Sequence, residues 1–375
     1  MAETDWVPMN DFQRLWQDTR ADAVRAFERV GASGWYITGK ELEGFERALA
    51  ELWNLPHCCG VASGLDAIEI GLKALGCGPG DCVLTTPLSA FATTLAIAKL
   101  DAIPVFVDTD EFGLLDLDRC AELLGRRPDI RFLVPVHLYG NSLDLAKLAL
   151  LKKRFGLTIV EDCAQSILAG HQGTLTGTVG QCAATSFYPT KNLGALGDGG
   201  AILTGDAAIA TRVRALRDYG QSAKYRHDCV GYNSRLDELQ AALLHHAFLG
   251  RLTAWTARRR RIAAQYLEGI ANPRVRPIGA PPGSQSCFHL FPVMVPPERR
   301  QPFLDHLRRQ GIGSGEHYPL AIPDQQAMAQ IPHEMAADCV QARAIAAGEV
   351  SLPIHPYLRD DQAARVIAAC NEWGD

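Results

Sequence analysis

Lys191 stands between the run Ser186-Phe187-Tyr188-Pro189-Thr190 and the glycine-rich stretch Asn192-Leu193-Gly194-Ala195-Leu196-Gly197-Asp198-Gly199-Gly200, which leads into apolar Ala201-Ile202-Leu203. Glycines let backbone approach a bound group closely, and a lysine in such a surround suits covalent capture of an aldehyde better than solvation. The amine attacks only when neutral, so a desolvated or cation-flanked site must lower its pKa. Upstream, Leu157-Thr158-Ile159-Val160 reads as a buried strand ending in Glu161-Asp162-Cys163-Ala164-Gln165-Ser166. Open α/β sheets place ligands at the carboxyl ends of their strands. A Schiff-base lysine and an aspartate that keeps a pyridine nitrogen protonated are the two protein groups pyridoxal 5'-phosphate requires. Strand alternation turns Glu161 and Asp162 to opposite faces, so one of them faces the site. Asp162 is the expected one, although an aspartate there could also cap a helix.

A second candidate is the turn Val61-Ala62-Ser63-Gly64-Leu65-Asp66, which opens a helix expected over 67–75. Amides at a helix N-terminus bind phosphate, and Gly64 leaves room for it. Taken alone this signal is weak, because Ser-Gly-x-Asp is also an ordinary capping sequence. Ser186 can add a hydroxyl to the same phosphate. His137 reads equally as a near-core histidine or an active-site neighbour. There is no strand-borne GxGxxG and no GxxxxGK[ST], so dinucleotide and Walker-type binding find no support.

The elements that must position these groups begin with helices across 10–55, where apolar residues recur at three- and four-residue spacing. Short apolar strands at 83–85, 103–107, 132–136 and 157–160 alternate with helices at 90–100, 117–124 and 144–155. Such alternation predicts an α/β fold with a mostly parallel sheet covered on both faces. One long helix is expected over 235–252. Beyond it, Asn272-Pro273 and Gly279-Ala280-Pro281-Pro282-Gly283 mark breaks. A strand over 290–295 and helices over 301–310 and 361–371 complete a smaller α+β domain. The expected division is residues 1–252 for the large domain with its N-terminal helices and 253–375 for the small one.

The 375 residues carry a formal charge of −5, with 47% hydrophobic and 21% charged residues, as in an ordinary globular protein. That balance gives no reason to expect nucleic acid or an anionic membrane as a partner. The basic run Arg258-Arg259-Arg260-Arg261 is expected on a solvated helix face or interface. Eleven cysteines include no CxxC pair and no His/Cys cluster with zinc-site spacing, so no metal is expected. Glu3 and Asp5 begin a chain without a signal-peptide pattern, and no apolar run is long enough to span a bilayer. Free thiols in the cytoplasm are the expectation.

Together these segments resemble the DegT/DnrJ/EryC1/StrS sugar aminotransferases, whose fold is that of aspartate aminotransferase (fold type I of the pyridoxal-phosphate enzymes). The resemblance runs from Gly34 through Leu249 and weakly on to His317-Tyr318-Pro319. Its decisive residues are Glu161 to Gln165, Ser186 to Gly200 and Gly231-Tyr232-Asn233-Ser234-Arg235-Leu236-Asp237-Glu238. It implies that Lys191 holds the cofactor as a Schiff base and shuttles the proton, and that Asp162 pairs with the pyridinium. It further implies that Gln165 bonds the phenolic oxygen, Phe91 stacks on the ring, and Ser186 with the Gly64 and Leu65 amides holds the phosphate. Asn233 would reach the phosphate in a neighbouring subunit, implying a homodimer with shared sites. Leu65 departs from the family's usual threonine or serine, which leaves only its amide for the phosphate. Cys163 replaces a commoner alanine.

A dehydratase branch of that family replaces the lysine with histidine, so Lys191 implies transamination. The implied reaction moves an amino group from L-glutamate, leaving 2-oxoglutarate, to a keto carbon of a nucleotide-linked sugar. The wording around Lys191 is most like members acting at C3, with C4 or a keto-cyclitol as alternatives. Substrate choice would lie in the loop 220–232, with Tyr225, and the loop 317–322, with His317 and Tyr318. A pyridoxal-phosphate-binding regulator without turnover is the rival reading, and a decarboxylase or lyase of the same fold is a third.

Overall fold

The computed structural model describes residues 6–374, so Glu3 and Asp5 lie outside the described residues. Helices α1 (Phe12–Ser33) and α2 (Lys40–Trp53) lead into β1 (His57–Val61) and α3 (Gly64–Ala74). Then follow β2 (Cys82–Thr85), α4 (Phe91–Ala98), β3 (Ile103–Phe106), α5 (Leu117–Leu124), β4 (Phe132–Val134), α6 (Leu145–Phe155) and β5 (Thr158–Asp162). After β6 (Cys182–Ser186) and β7 (Gly200–Thr204) the chain forms α7 (Ala207–Arg217).

These strands join an eight-stranded sheet in the order β1-β7-β6-β5-β4-β2-β3, closed at its far edge by Glu334–Met335. Every pairing is parallel except those of β7, which runs antiparallel to both β1 and β6. The expected mostly parallel α/β architecture is therefore present. Because β1, β2, β5 and β6 run the same way, Ser63, Ala90, Asp162 and Ser186 emerge at one edge of the sheet. Apolar side chains of β2, β4 and β5 feed opposite faces: Val83, Phe132 and Val160 pack under α3 and α4, while Leu84, Leu133 and Ile159 pack under α5 and α6.

The helix expected over 235–252 differs in detail. It starts at α8 (Glu238–Leu243), widens into a π-helical turn at Leu244–Phe248, and continues through a tight turn into α9 (Leu252–Gly269). Asp237 precedes α8, and the buried Glu238 carboxylate accepts the Gly39, Glu41 and Leu42 amides, so its first turn is tied to the start of α2. The basic run also differs from expectation: Arg259 is buried, while Arg260 and Arg261 are exposed.

Downstream, β8 (Arg276–Pro277), β9 (Phe291–Met294), α10 (Arg300–Arg309), α11 (Val340–Gly348), β10 (Glu349–Leu352) and α12 (Asp360–Glu372) complete the chain. β8, β9 and β10 form a three-stranded antiparallel sheet. Its core joins Phe291, Val293, Phe303, Val350 and Val366 with Val7 of the N-terminal segment. Among the described residues no helix is long and apolar enough to cross a membrane.

Candidate active site

Asp162 ends β5, where burial leaves it 5% exposed. Thr93, in the first turn of α4, donates its hydroxyl to Asp162 Oδ2 at 2.8 Å, and the Ala164 amide donates to Oδ1 at 3.0 Å. Burial nonetheless raises the pKa of this carboxyl, against those hydrogen bonds and the nearby Lys191. A cation seated beside it would hold it ionised. Glu161 turns the other way, as alternation requires. It accepts the Gly177, Val179 and Gly180 amides and the His137 Nε2–H at 2.9 Å. Burial pushes its pKa up, but the His137 hydrogen bond and the loop amides outweigh that and hold it below the usual value. With Nδ1 of His137 accepting from the Leu143 amide, that imidazole is satisfied behind the site.

Lys191 lies beyond β6 in the turn before β7. Its amide donates to the Tyr188 carbonyl, and Ala195 N–H to the Phe187 carbonyl, which folds the glycine-rich stretch back on itself. Gly194 must be glycine here, since a Cβ would meet the Pro189 carbonyl oxygen at 2.3 Å. Burial lowers the Lys191 pKa to about 8, with the Asp162 carboxylate opposing the shift. A substantial free-amine fraction at mildly basic pH follows.

Ser63 caps α3, its hydroxyl accepting the Asp66 amide at 3.1 Å. The Gly64 and Leu65 amides stand ahead of that capped turn, at the positive end of the helix dipole. Ser186 sits against them: a Cβ on Gly64 would fall 2.6 Å from Ser186 Cβ and 3.0 Å from its Oγ. A Cβ on Gly200 would meet the Ser63 carbonyl oxygen at 2.3 Å. Bare backbone thus forms a cradle beside a hydroxyl, which fits a phosphate.

Lys191, Asp162, Ser186, Gly64, Leu65, His317 and Tyr318 all line one cavity of about 590 Å3. Four other candidates do not line it. Gln165 stands one layer back, accepting the Tyr139 amide at 2.6 Å and donating to the Tyr318 hydroxyl at 3.2 Å. Phe91, half-buried at the start of α4, packs toward the core behind β2 and β3. Asn233 is exposed and bridges to Asp218, and Tyr225 is 84% exposed in the hairpin after α7. The lining also includes Met9, Asn10, Thr93, Thr190 and His289, to which sequence reading gave no role. Thr93 lies two residues beyond Phe91, to which the resemblance gave a role; His289 carries no comparable local signal.

His317 enters through a hydrogen-bonded relay. Its amide donates to Glu349 Oε2 at 2.6 Å, Ser351 Oγ donates to Glu349 Oε1 at 2.5 Å, and His317 Nδ1 meets Ser351 Oγ at 3.0 Å. With the Ser351 proton on Glu349, Nδ1 of His317 is the donor and Nε2 the acceptor. Burial and the Lys191 charge keep His317 neutral, with its pKa lowered to about 4.

A desolvated lysine, a buried aspartate and a glycine cradle beside a serine together suit pyridoxal 5'-phosphate: covalent capture, ring pairing and phosphate binding. The chain is 42% identical to a dTDP-3-amino-3,4,6-trideoxy-alpha-D-glucose transaminase of Streptomyces venezuelae, covering 100% of this chain and 98% of that protein. It is 35% identical to a UDP-N-acetyl-3-dehydro-alpha-D-glucosamine 3-aminotransferase of Acidithiobacillus ferrooxidans, over 98% and 97% of the two chains. The crystal structure of S. venezuelae DesV in complex with a ketimine intermediate superimposes with a TM-score of 0.92 at 41% identity, covering 98% of each chain. With the family model matching residues 17–371, this chain belongs to the DegT/DnrJ/EryC1/StrS aminotransferase family.

Proposed function

We propose that this pyridoxal-phosphate-dependent aminotransferase moves the amino group of L-glutamate to the keto carbon at C3 of a nucleotide-linked sugar. The observation that carries the reading is the convergence of Lys191 and Asp162 on one cavity. Both relatives described above are named for amination at C3, which supports that position over C4. When bound, the cofactor supplies an aldehyde and an electron-withdrawing ring.

The chain's own groups divide the rest of the work. Lys191 Nζ, free as the amine, takes the proton from the donor's α-carbon and later returns one to the sugar carbon that receives nitrogen. Asp162, positioned by Thr93 and Ala164, supplies the negative charge for the ring nitrogen. Ser186 and the Gly64 and Leu65 amides would hold the phosphate, while Gln165, one layer back, positions Tyr318 at the cavity and Phe91 packs behind the start of α4. His317 and Tyr318 border the mouth for the sugar. Exposed Tyr36, Tyr219 and Tyr225 accompany exposed Asn233, which supports a homodimer in which Asn233 and Tyr225 serve the neighbouring site. Free thiols, nearly all buried, support a reducing cytoplasmic setting.

The test is to titrate the cofactor-loaded protein with L-glutamate, follow the cofactor's visible band, and assay 2-oxoglutarate. Adding a nucleotide-linked 3-keto sugar and locating the new nitrogen by NMR then fixes the position. Loss of the band in the parent but not in Lys191→Ala, with nitrogen at C3, is the expected result. Cofactor binding with no glutamate turnover would instead favour the regulator.

A further inference from the structure

Behind Lys191 a second, smaller cavity of about 40 Å3 shares Asn10, Thr190 and Lys191 with the large one. Its inner wall is Arg259 of α9 and His355, which are 4% and 2% exposed. Arg259 spends only one edge on the protein. Its Nη1 donates to the Ile354 carbonyl at 2.6 Å, and to the Phe288 and His289 carbonyls at 3.3 and 3.4 Å. Its Nε and Nη2 have no acceptor, and no carboxylate lies within ion-pair distance of the guanidinium, among the described residues. Asp11, the acid of this lining, is committed elsewhere: it accepts the Arg14 amide at 2.9 Å and pairs with the Arg14 side chain. Neither ring nitrogen of His355 forms a hydrogen bond. The Pro8 carbonyl lies near the imidazole but does not meet hydrogen-bond geometry.

A buried cation without a counter-ion is costly, as is a buried imidazole with both nitrogens idle. The Nε–Nη2 edge of a guanidinium matches the two oxygens of a carboxylate. The volume admits a group of that size but not a nucleotide. We propose that Arg259 and His355 form a carboxylate-binding subsite that anchors one carboxylate of the amino donor, and of the 2-oxo acid it becomes, beside Lys191. The assignment of the occupant rests on L-glutamate being the donor. Burial holds His355 neutral down to about 3 and leaves Arg259 charged, its pKa lowered only to about 10. One neutral donor and one cation therefore face the anion across the working pH range.

The cofactor-loaded protein is titrated with succinate, which has no amino or keto group to react, by calorimetry at fixed ionic strength. Parent, Arg259→Gln and His355→Asn are compared, with inorganic phosphate as a second probe. The subsite predicts succinate binding weakened at least about tenfold in Arg259→Gln and measurably in His355→Asn, with the cofactor's absorbance unchanged. If Arg259→Gln fails to fold, His355→Asn carries the same comparison. Equal succinate binding in parent and variants, no binding in the parent, or binding of phosphate alone overturns the assignment. Glutamate turnover is followed separately. Arginine-dependent succinate binding with no glutamate turnover would sink the donor, not the subsite. Normal half-saturation by glutamate in Arg259→Gln would sink the subsite, not the donor.

Discussion

Glu161 and Asp162 are neighbours in the chain, yet their carboxylates share no hydrogen-bond partner: Asp162 accepts from Thr93 and Ala164 at the cavity, Glu161 from His137 and the 177–180 amides behind it. The period of a strand makes that separation unavoidable. One acid can therefore serve chemistry while the other pins a loop, and substitution should tell them apart. Asp162→Asn should retain bound cofactor but slow the glutamate half-reaction by about 100-fold or more, because ring charge is lost while shape is kept. Stopped-flow absorbance on the loaded protein checks it.

Glu161→Gln should do the reverse. An amide cannot accept from His137 and three backbone amides as a carboxylate does, and a buried charge-assisted network is being cut. A loss of about 3 kcal/mol in unfolding free energy is expected, with the rate per folded, loaded molecule changed far less. Urea unfolding followed by circular dichroism measures the first, and active-site titration the second.

Gly64→Ala tests the cradle. Its new Cβ would come to 2.6 Å from Ser186 Cβ, and both atoms are held close to backbone, so helix α3 or β6 must shift. Overpacking of that kind costs about 1–3 kcal/mol, and if it falls on the phosphate site the hold on the cofactor weakens roughly 5- to 150-fold. Equilibrium dialysis of pyridoxal phosphate reads it directly. The double variant Gly64→Ala/Ser186→Gly removes the clashing atom together with the phosphate-facing hydroxyl, so it should regain folding stability but not cofactor affinity.

Most of this frame was legible because it depends on short-range pattern. Strands 83–85 and 103–107 and the acid pair after 160 followed from alternation and apolar runs, and Lys191 from its glycine surround. What stayed hidden depends on contacts distant in sequence. Thr93 matters only because α4 carries it to Asp162, and His289 only because the segment before β9 bonds back to the Tyr139 and Gly140 carbonyls. Arg259 looked like one of four solvated arginines, since helical position alone could not reveal that the Ile354 carbonyl would cover it. The helix expected to begin at Arg235 starts instead at Glu238, whose carboxylate is drawn to the amides opening α2, and its π-helical turn leaves no composition signature.

The pH response of the lysine has a definite sign. Its pKa is about 8 in the folded protein against an ordinary 10.5, so between those values the unfolded chain binds more protons and folding strengthens as pH rises. The free amine fraction also grows through that same window. In cofactor-free protein, the rate of labelling of Lys191 by an amine-reactive reagent should therefore climb through about pH 8, well before that of exposed lysines. Mass spectrometry of labelled peptides across pH 6 to 10 (roughly) resolves the two classes. A labelling midpoint at the ordinary lysine value would remove the case for a desolvated amine.

Glu349 gives the opposite sign, and the contrast makes it the sharper test of the relay under His317. Burial raises its pKa from 4.5 to about 7, against the bonds from Ser351 and the His317 amide. Between those values the folded protein binds more protons than the unfolded chain, so this group's contribution to stability falls as pH rises and is lost above about 7. Glu349→Gln keeps the side chain's size and removes the titration, leaving one oxygen to accept where the carboxylate offers two. The parent should lose up to roughly 3 kcal/mol relative to Glu349→Gln between acidic and neutral pH, the span that follows from the shift. Thermal melts of both proteins at matched ionic strength give that difference, and parallel curves across the range would mean that Glu349 is ionised throughout. Because the same carboxyl fixes the Ser351 proton and hence the tautomer of His317, the variant should also raise KM for the sugar while leaving the glutamate half-reaction near its parental rate.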